Sequence, residues 1–151
     1  MLLTQEHRLI QENTKLLANK VIRPFANQWA IEKSFPSDAL KALAQAGLMG
    51  MLVPPNWQGS QISYLSYVLV MIELAKADGA LSTIVSVHNS VASLPILHFG
   101  NEAQKKQFLV KMAKGELLGA FCLSEPQAGS DAANIQTKAV KKGNQFVLNG
   151  V

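Results

Sequence analysis

The sequence predicts a mainly α protein, in which a helical bundle is followed by the first strands of a sheet. Up to Gly115, apolar residues recur at helical spacing between helix-capping and helix-breaking residues. After Gly115 they fall into short runs separated by Gly-Ser and Gly-Asn turns, a pattern typical of strands. We therefore expect a helical domain over residues 1–115 and the beginning of a β-domain over residues 116–151.

The overall composition limits the class of protein. The chain has 151 residues, of which 48% are hydrophobic and 16% are charged, as in globular proteins. This length fits one domain, or one domain and the start of another. A single cysteine, Cys122, excludes a disulfide framework and fits a reducing compartment. The net charge of +4 comes mostly from lysines without interleaved aromatic residues, so no nucleic acid partner is expected.

The N-terminus and the apolar runs carry no targeting or membrane signal. Residues 1–8 lack the features of a secretory signal, and no Arg/Ser-rich leader is present. The most apolar run, residues 65–74, is too short to span a bilayer and is typical of a buried helix. We therefore expect a cytoplasmic protein with no membrane partner.

An apolar stripe at helical spacing predicts the first helix, which should end before Pro24 because proline disfavours helical geometry in the preceding residue. The stripe consists of Leu2, Leu3, Leu9, Ile10, Leu16 and Leu17. A second helix is expected over residues 37–46, with Ser37 as its N-cap and Gly47 as its stop. Residues 49–55 should then form a short extended piece.

Further helices are expected in the second half of the bundle. Residues 64–77 are apolar on nearly every side, which is typical of a central bundle helix. Residues 81–99 predict another buried helix, which Pro95 should kink or end. Asn101 and Gln104 have the spacing of a capping box and predict a helix that runs to about residue 113.

Strands are expected only after the helical block. The compact apolar run at residues 117–123 predicts a buried strand. Residues 135–141 and 145–148 predict a hairpin around the turn at Gly143-Asn144. Since an isolated hairpin is marginally stable in water, these strands need other elements to cover them.

The most informative segment is residues 121–131, Phe-Cys-Leu-Ser-Glu-Pro-Gln-Ala-Gly-Ser-Asp, here called the signature loop. Its Gly-Ser pair can present adjacent backbone N–H groups to a phosphate oxygen, and the Ser130 hydroxyl can add another bond. Pro126 forces Glu125 out of the helical region, so the chain turns there. On these grounds alone, ligand binding and an ordinary surface turn both remain possible.

The signature loop resembles the flavin-contacting signature of the acyl-CoA dehydrogenases, and the likeness begins at Gly119. Ordered matches extend across nearly the whole chain: Phe35-Pro36, Leu48-Met49-Gly50, Val53-Pro54, Ser86-Val87-His88-Asn89-Ser90, Leu97-His98-Phe99-Gly100 and Lys105-Lys106-Gln107-Phe108-Leu109. The chain is most similar to short-chain or short-branched-chain members. The resemblance implies a truncated acyl-CoA dehydrogenase fold, with the N-terminal α-domain and the beginning of a β-barrel-like middle domain.

The resemblance also implies a reaction, a cofactor and partners. Members of the family use FAD to oxidise the Cα–Cβ bond of an acyl-CoA to a trans-2-enoyl-CoA. A glutamate removes the α-proton while a hydride passes from Cβ to the flavin. Electrons then leave to an electron-transferring flavoprotein, and the full-length form would be a homo-oligomer.

Carried over by position, the resemblance implies roles for the signature loop. Phe121, Leu123 and Ser124 would lie against the isoalloxazine ring of FAD. Gly129 and Ser130 would lie near the pyrophosphate, with Ser130 also near the substrate thioester. The family usually has threonine at position 124, and serine keeps the hydroxyl while losing the methyl group.

The resemblance places His88 and Asn89 on a helix that lines the acyl pocket, so both are candidate substrate contacts. The alternative is that they are hydrogen-bonded packing residues of a buried helix. No metal site is predicted, because His7, His88 and His98 lack metal-ligand spacing with Cys122 or with each other.

The resemblance implies that the glutamate base lies beyond Val151, so no catalytic residue is nominated within the chain. We expect the chain alone to hold FAD weakly or not at all and to be inactive. A non-catalytic helical binding or assembly module with the family fold is the alternative, and a degenerate product that folds poorly is a third hypothesis. The intact loop from Ser124 to Asp131 favours the flavoenzyme.

Overall fold

The computed structural model describes residues 3–150 and confirms a mainly α fold with a small antiparallel sheet. The chain divides into two compact units, one ending at Ala120 and the other beginning at Phe121. The helices of the first unit are α1 Gln5–Val21, α2 Ala26–Glu32, α3 Ser37–Gln45, α4 Tyr64–Ala77, α5 Gly79–Val87, α6 Ser93–Phe99, α7 Glu102–Gln104 and α8 Val110–Ala113. The strands of the second unit are β1 Lys138–Lys142 and β2 Gln145–Asn149.

Helix α1 begins at a capping box and packs along α4. The Thr4 hydroxyl accepts from the His7 backbone N–H, and the His7 ring accepts in return from the Thr4 N–H, at 3.2 Å each. Of the predicted apolar stripe, Ile10 and Leu17 pack against the core, whereas Leu9 and Leu16 are exposed. Leu2 lies outside the described residues. The stripe is therefore divided between the core and the surface.

Helix α2 was not expected from the sequence. It is only seven residues long, and no side chain caps its N-terminus at Phe25. It ends at Lys33 in the left-handed conformation, with φ of 53°, a geometry for which glycine is the usual sequence signal. The chain thus lacks the boundary residues from which a short helix can be predicted.

Helix α3 confirms the second predicted helix but not its cap. Pro36 occupies the N-cap position and Ser37 is already helical, so the predicted capping role of Ser37 is wrong. Gly47 does end the helix, with φ of 76°. Its N–H donates to the Ala44 carbonyl at 2.9 Å, and a left-handed residue there favours glycine.

Residues 49–55 form successive turns and no strand, so the expected extended piece is wrong. The segment is nevertheless buried, with Met49, Met51 and Val53 almost inaccessible to solvent. Turns form instead of a strand because hydrogen bonds to the central helix hold the backbone of this segment. A hydrogen bond within the segment adds to this, since the Val53 N–H donates to the Gly50 carbonyl at 3.3 Å.

The central helices lie within the core of the first unit. Helix α4 has the predicted bounds, with Ser63 as its N-cap. The continuous helix that follows is α5, a π-helical segment at His88–Ala92, and α6. Fully buried core side chains from these and neighbouring segments are Ile22, Leu43, Met49, Val70, Leu74, Leu81 and Val85.

The π-helical segment precedes Pro95, where the sequence predicted a kink or a stop. Proline has no N–H for the carbonyl four residues earlier, which disrupts regular α-helix pairing. The π-helical turn accommodates this disruption, because the Ser93 N–H donates to the His88 carbonyl, five residues earlier in the chain. The helix therefore continues to Phe99.

By length and composition, the continuous helix from Gly79 to Phe99 could cross a membrane. However, His88, Asn89 and Ser93 on this helix are fully buried and hydrogen-bonded inside the first unit. A helix with polar side chains satisfied in this way is typical of a protein core.

Residues 117–123 form no strand, so the predicted buried strand is wrong. Leu117, Leu118, Phe121 and Leu123 are all exposed. A strand needs a hydrogen-bonded neighbour, and among residues 3–150 the only sheet pairs β1 with β2. The hairpin itself is confirmed: Val140 pairs with Val147, and Gly143 has φ of 60° in the turn.

Asp78 provides a direct test of a helix boundary. Its carboxylate accepts from the Leu81 N–H at 2.6 Å and caps α5. We expect Asp78→Ala to lower the free energy of unfolding by about 1 kcal/mol, because the cap is lost. Urea denaturation followed by circular dichroism would measure this. Asp78→Asn is the matched control and should keep most of the stability; equal losses in both variants would contradict a capping role.

Candidate functional site

The signature loop is a tight turn that leads out of an extended, exposed segment. Glu125 and Ala128 pair through both backbone hydrogen bonds, at 3.1 and 3.0 Å, and close the turn. Pro126 occupies the second position of the turn, where its fixed φ is favourable. The predicted sharp turn is therefore confirmed, and it ends just before Gly129 and Ser130.

The Glu125 carboxylate holds this turn to the segment before β1. One oxygen accepts from the Gln136 N–H at 2.8 Å, and the other accepts from the Thr137 N–H at 3.0 Å. The Gln127 side-chain amide also donates to this carboxylate. Hydrogen bonds from the Thr137 side chain and from the two backbone N–H groups lower the pKa of Glu125 to about 2. Glu125 is therefore ionised near neutral pH.

The loop leaves donors and space available on its exposed side. Within residues 3–150, the backbone N–H groups of Ser124, Gly129 and Ser130 have no protein acceptor, and neither serine hydroxyl has a protein partner. A Cβ atom on Gly129 would meet no heavy atom within 4 Å. The glycine is thus not required by packing within the chain, and the position leaves room for a close backbone approach by a ligand.

These features fit the anionic and polar edge of a nucleotide cofactor. Adjacent free N–H groups and hydroxyls are donors, which phosphate oxygens and flavin carbonyls accept. Phe121 and Leu123 are exposed and offer apolar surface next to Ser124. All five predicted flavin-contact residues are exposed. Their contact with FAD stays a prediction.

His88 is fully buried in the first unit, and both of its ring nitrogens are engaged. Nδ1 accepts from the Gly119 N–H at 2.9 Å, which makes Nε2 the protonated nitrogen. Nε2 donates to the carbonyls of Met49 and Met112, at 3.0 and 3.1 Å. Burial lowers the pKa of His88, and the two carbonyls oppose this shift.

Asn89 is equally occupied by the protein. Its side-chain carbonyl accepts from the Met51 N–H at 2.9 Å, while its amide donates to the carbonyls of Leu48 and Val85 at 2.9 and 3.0 Å. No polar atom of His88 or Asn89 is directed to solvent. The geometry favours the packing alternative for both residues, and their predicted contact with a substrate stays untested.

Gly119 has a structural role that the sequence did not reveal. A Cβ atom there would lie 2.4 Å from the Met112 Cε and 2.7 Å from the Ala92 Cβ. Only glycine allows the backbone to approach closely enough for its N–H to reach His88. The histidine itself gave no signal of this pairing, because its partner lies 31 residues away.

A sequence model of the acyl-CoA dehydrogenase N-terminal domain matches residues 4–116. The chain therefore belongs to the acyl-CoA dehydrogenase family. It is 39% identical over 150 residues to an acyl-CoA dehydrogenase of Bacillus subtilis, covering 99% of this chain and 40% of that protein. It is 36% identical to the short-chain specific acyl-CoA dehydrogenase of Clostridium acetobutylicum, covering 98% and 39% respectively.

Solved structures show the same likeness. Butyryl-CoA dehydrogenase from Megasphaera elsdenii has a TM-score of 0.91 at 32% identity, over 99% of this chain and 40% of that one. An acyl-CoA dehydrogenase of Bacillus anthracis complexed with FAD has a TM-score of 0.89 at 32% identity, over 98% and 26%. A chain from work on the electron transferring flavoprotein of Acidaminococcus fermentans has a TM-score of 0.93 at 33% identity, over 99% and 40%. The chain thus spans about two fifths of the relatives' length, or less.

Protonation of His88 should destabilise the helical unit. Because the pKa is lowered in the folded state, the unfolded chain takes up a proton first as the pH falls below about 6.5. The free energy of unfolding should therefore fall as the pH drops below about 6.5, by at most about 1.4 kcal/mol per pH unit. Urea denaturation at several pH values would measure the slope.

The control for this prediction is His88→Gln, compared with the unmodified chain. We expect His88→Gln to be less stable at every pH but to show a flatter slope below about pH 6.5 than the unmodified chain. An unchanged slope in His88→Gln would contradict the assignment of the pH dependence to His88.

Proposed function

We propose that the chain contributes the N-terminal helical domain and the flavin-contacting loop to an FAD-dependent dehydrogenase. The reaction is α,β-dehydrogenation of an acyl-CoA thioester to a trans-2-enoyl-CoA. Family membership supports the general reaction, and the names of the relatives described above support a short acyl chain. The observation that carries the proposal is the exposed part of the signature loop, where the backbone N–H groups of Ser124, Gly129 and Ser130 and both serine hydroxyls have no partner within residues 3–150.

The loop residues have separate tasks in this proposal. Phe121 and Leu123 give apolar surface to the isoalloxazine ring, and Ser124 donates from its backbone and hydroxyl to the polar ring edge. Such donors stabilise negative charge that develops on the flavin. Gly129 and Ser130 donate to the pyrophosphate, with the Ser130 hydroxyl also near the thioester. The flavin, when bound, accepts the hydride, and the protein orients the reactants.

The catalytic base is proposed to come from residues outside 1–151. Glu125 is committed to backbone N–H groups, as described above. Glu73 is almost fully buried and accepts from Lys76 and Gln11 at 2.8 Å each, and the Lys76 hydrogen bond lowers the pKa of Glu73. A general base must reach its proton and have a pKa suited to accepting it. Neither carboxylate meets these requirements. Because the family resemblance implies a glutamate base outside residues 1–151, we propose that the chain alone is inactive.

Two partners complete the proposal. An electron-transferring flavoprotein would take the electrons, and the similar chain from the Acidaminococcus fermentans work supports this acceptor. The complete enzyme would be a homo-oligomer, as the family resemblance implies.

A non-catalytic assembly module is the second candidate function. Exposed apolar side chains on the helical unit favour it, namely Leu9 and Leu16 on α1 and Phe99 at the end of α6. Surfaces of this kind pack against other protein segments. Both candidates can use such surfaces, so flavin binding decides between them.

We expect the chain alone to lose FAD on a desalting column, because most of the family's cofactor contacts would lie outside it. Two-dimensional NMR at millimolar FAD should still show shifts at the amides of Ser124, Gly129 and Ser130. A chimera that carries the remaining part of the Bacillus subtilis acyl-CoA dehydrogenase after Val151 should elute with flavin, and butyryl-CoA should bleach its absorbance.

Matched serine variants of the chimera give the control for this test. Ser124→Ala should weaken flavin retention, whereas Ser60→Ala in an exposed loop should not. A stoichiometric yellow complex of the chain alone would contradict the expected weak binding. A folded but colourless chimera, together with unchanged NMR signals in the loop, would overturn the flavin proposal and favour the assembly module.

A further inference from the structure

We propose that Glu125 is a positioning residue, whose carboxylate bridges two consecutive backbone N–H groups and thereby fixes the signature loop in its flavin-contacting shape. The role rests on the proposed flavin function, but the ordering of the loop can be tested without flavin. Neither Glu125 oxygen is assigned to the cofactor; both are used by the protein.

The bridge joins two parts of the second unit that are distant in sequence. Oε2 accepts from the Gln136 N–H and Oε1 from the Thr137 N–H, at 2.8 and 3.0 Å. These partners lie 11 and 12 residues after Glu125 and directly precede β1. The carboxylate therefore closes the whole intervening segment, including Gly129 and Ser130, into a loop with fixed ends.

A second hydrogen bond supports the same closure. The Asn134 side-chain amide donates to the Gln127 carbonyl at 3.2 Å. The Asn134 backbone N–H donates to the Asp131 carbonyl at 3.1 Å, which makes a tight turn between the two contacts. The loop is therefore folded on itself.

The chemistry of the bridge requires a carboxylate. Two N–H donors approach two different oxygens, and the Gln127 amide adds a further donor. A glutamine at this position has one oxygen and one NH₂ group, so its NH₂ would face a backbone N–H. An aspartate side chain is shorter by one methylene group, so its carboxylate oxygens would lie too far from both N–H groups to accept from them. A glutamate that served only to fill space would tolerate glutamine.

The consequence for binding is preorganisation. Ser124 precedes Glu125 directly, and Gly129 and Ser130 follow the turn that Glu125 closes. If the closure were lost, these groups would have to be ordered when the ligand binds, and that ordering weakens affinity. Glu125 thus acts on flavin through the backbone that carries the donors.

The test uses the chain labelled with ¹⁵N, as the unmodified protein and as Glu125→Gln, Glu125→Ala and the control Glu116→Gln. Glu116 is an exposed glutamate of the first unit. We expect the Gln136 and Thr137 amide protons to move upfield in both Glu125 variants, because they lose a carboxylate acceptor. The heteronuclear NOE values of Ser124, Gly129 and Ser130 should fall in the Glu125 variants, while thermal melting of the helical unit stays unchanged. In Glu116→Gln, the signals of these loop residues and of Gln136 and Thr137 should stay unchanged.

FAD titration then separates the positioning role from the proposed function. In the unmodified chain, FAD should shift the loop amides, and both Glu125 variants should raise the apparent dissociation constant roughly tenfold. Glu125→Gln with unchanged loop order and unchanged amide shifts would overturn the positioning role, whether or not FAD binds. A different result is that neither the unmodified chain nor the chimera binds FAD, while the loop still loses order in the Glu125 variants. Glu125 would then order the loop, but the proposed flavin function would be wrong, and the positioning role toward flavin would be wrong as well.

Discussion

The structure of the helical unit depends on a pair of buried polar side chains on its central helix. His88 and Asn89 together bind backbone groups of the 48–51 segment, of Met112 and of Gly119. An unsatisfied polar group at such a depth would cost about 1–3 kcal/mol, so the partners must be present together. Segments without regular secondary structure are thereby held in the core, where hydrophobic packing alone would leave their backbone groups unpaired.

The second unit is organised by charge-assisted hydrogen bonds rather than by a hydrophobic core. Its strands are fully exposed, and Ala128 is its one buried hydrophobic residue among those described. Under these conditions an ionised carboxylate that accepts from several donors is a strong local constraint. Glu125 supplies it within a stretch of 13 residues. The loop can therefore keep a defined backbone without a hydrophobic core around it.

The sequence predicted the elements whose signals are local. Helix α4 follows from its apolar run between Ser63 and Asp78, and the capping box at Asn101 and Gln104 is present as expected. Two kinds of error arose. A strand was wrongly predicted at residues 117–123 because strand formation depends on a partner elsewhere in the chain, and none lies beside this run among the described residues. Helix α2 was missed because it lacks cap signals in the sequence. In the candidate site, the Gly-Ser donors were visible in the sequence. The partners of Glu125 and His88 were not, because spacing along the chain does not reveal which backbone groups meet.

The hairpin has a consequence for how the chain behaves in solution. Both strands leave one edge without a partner among the described residues, and Phe146 and Leu148 on β2 are exposed. Free edges of this kind recruit strands from other molecules, which leads to aggregation or to exchange of segments between chains. The three lysines of β1 oppose this process, since like charges would be brought together when two such edges align. Colloidal stability of the chain should therefore decrease as salt screens the lysines.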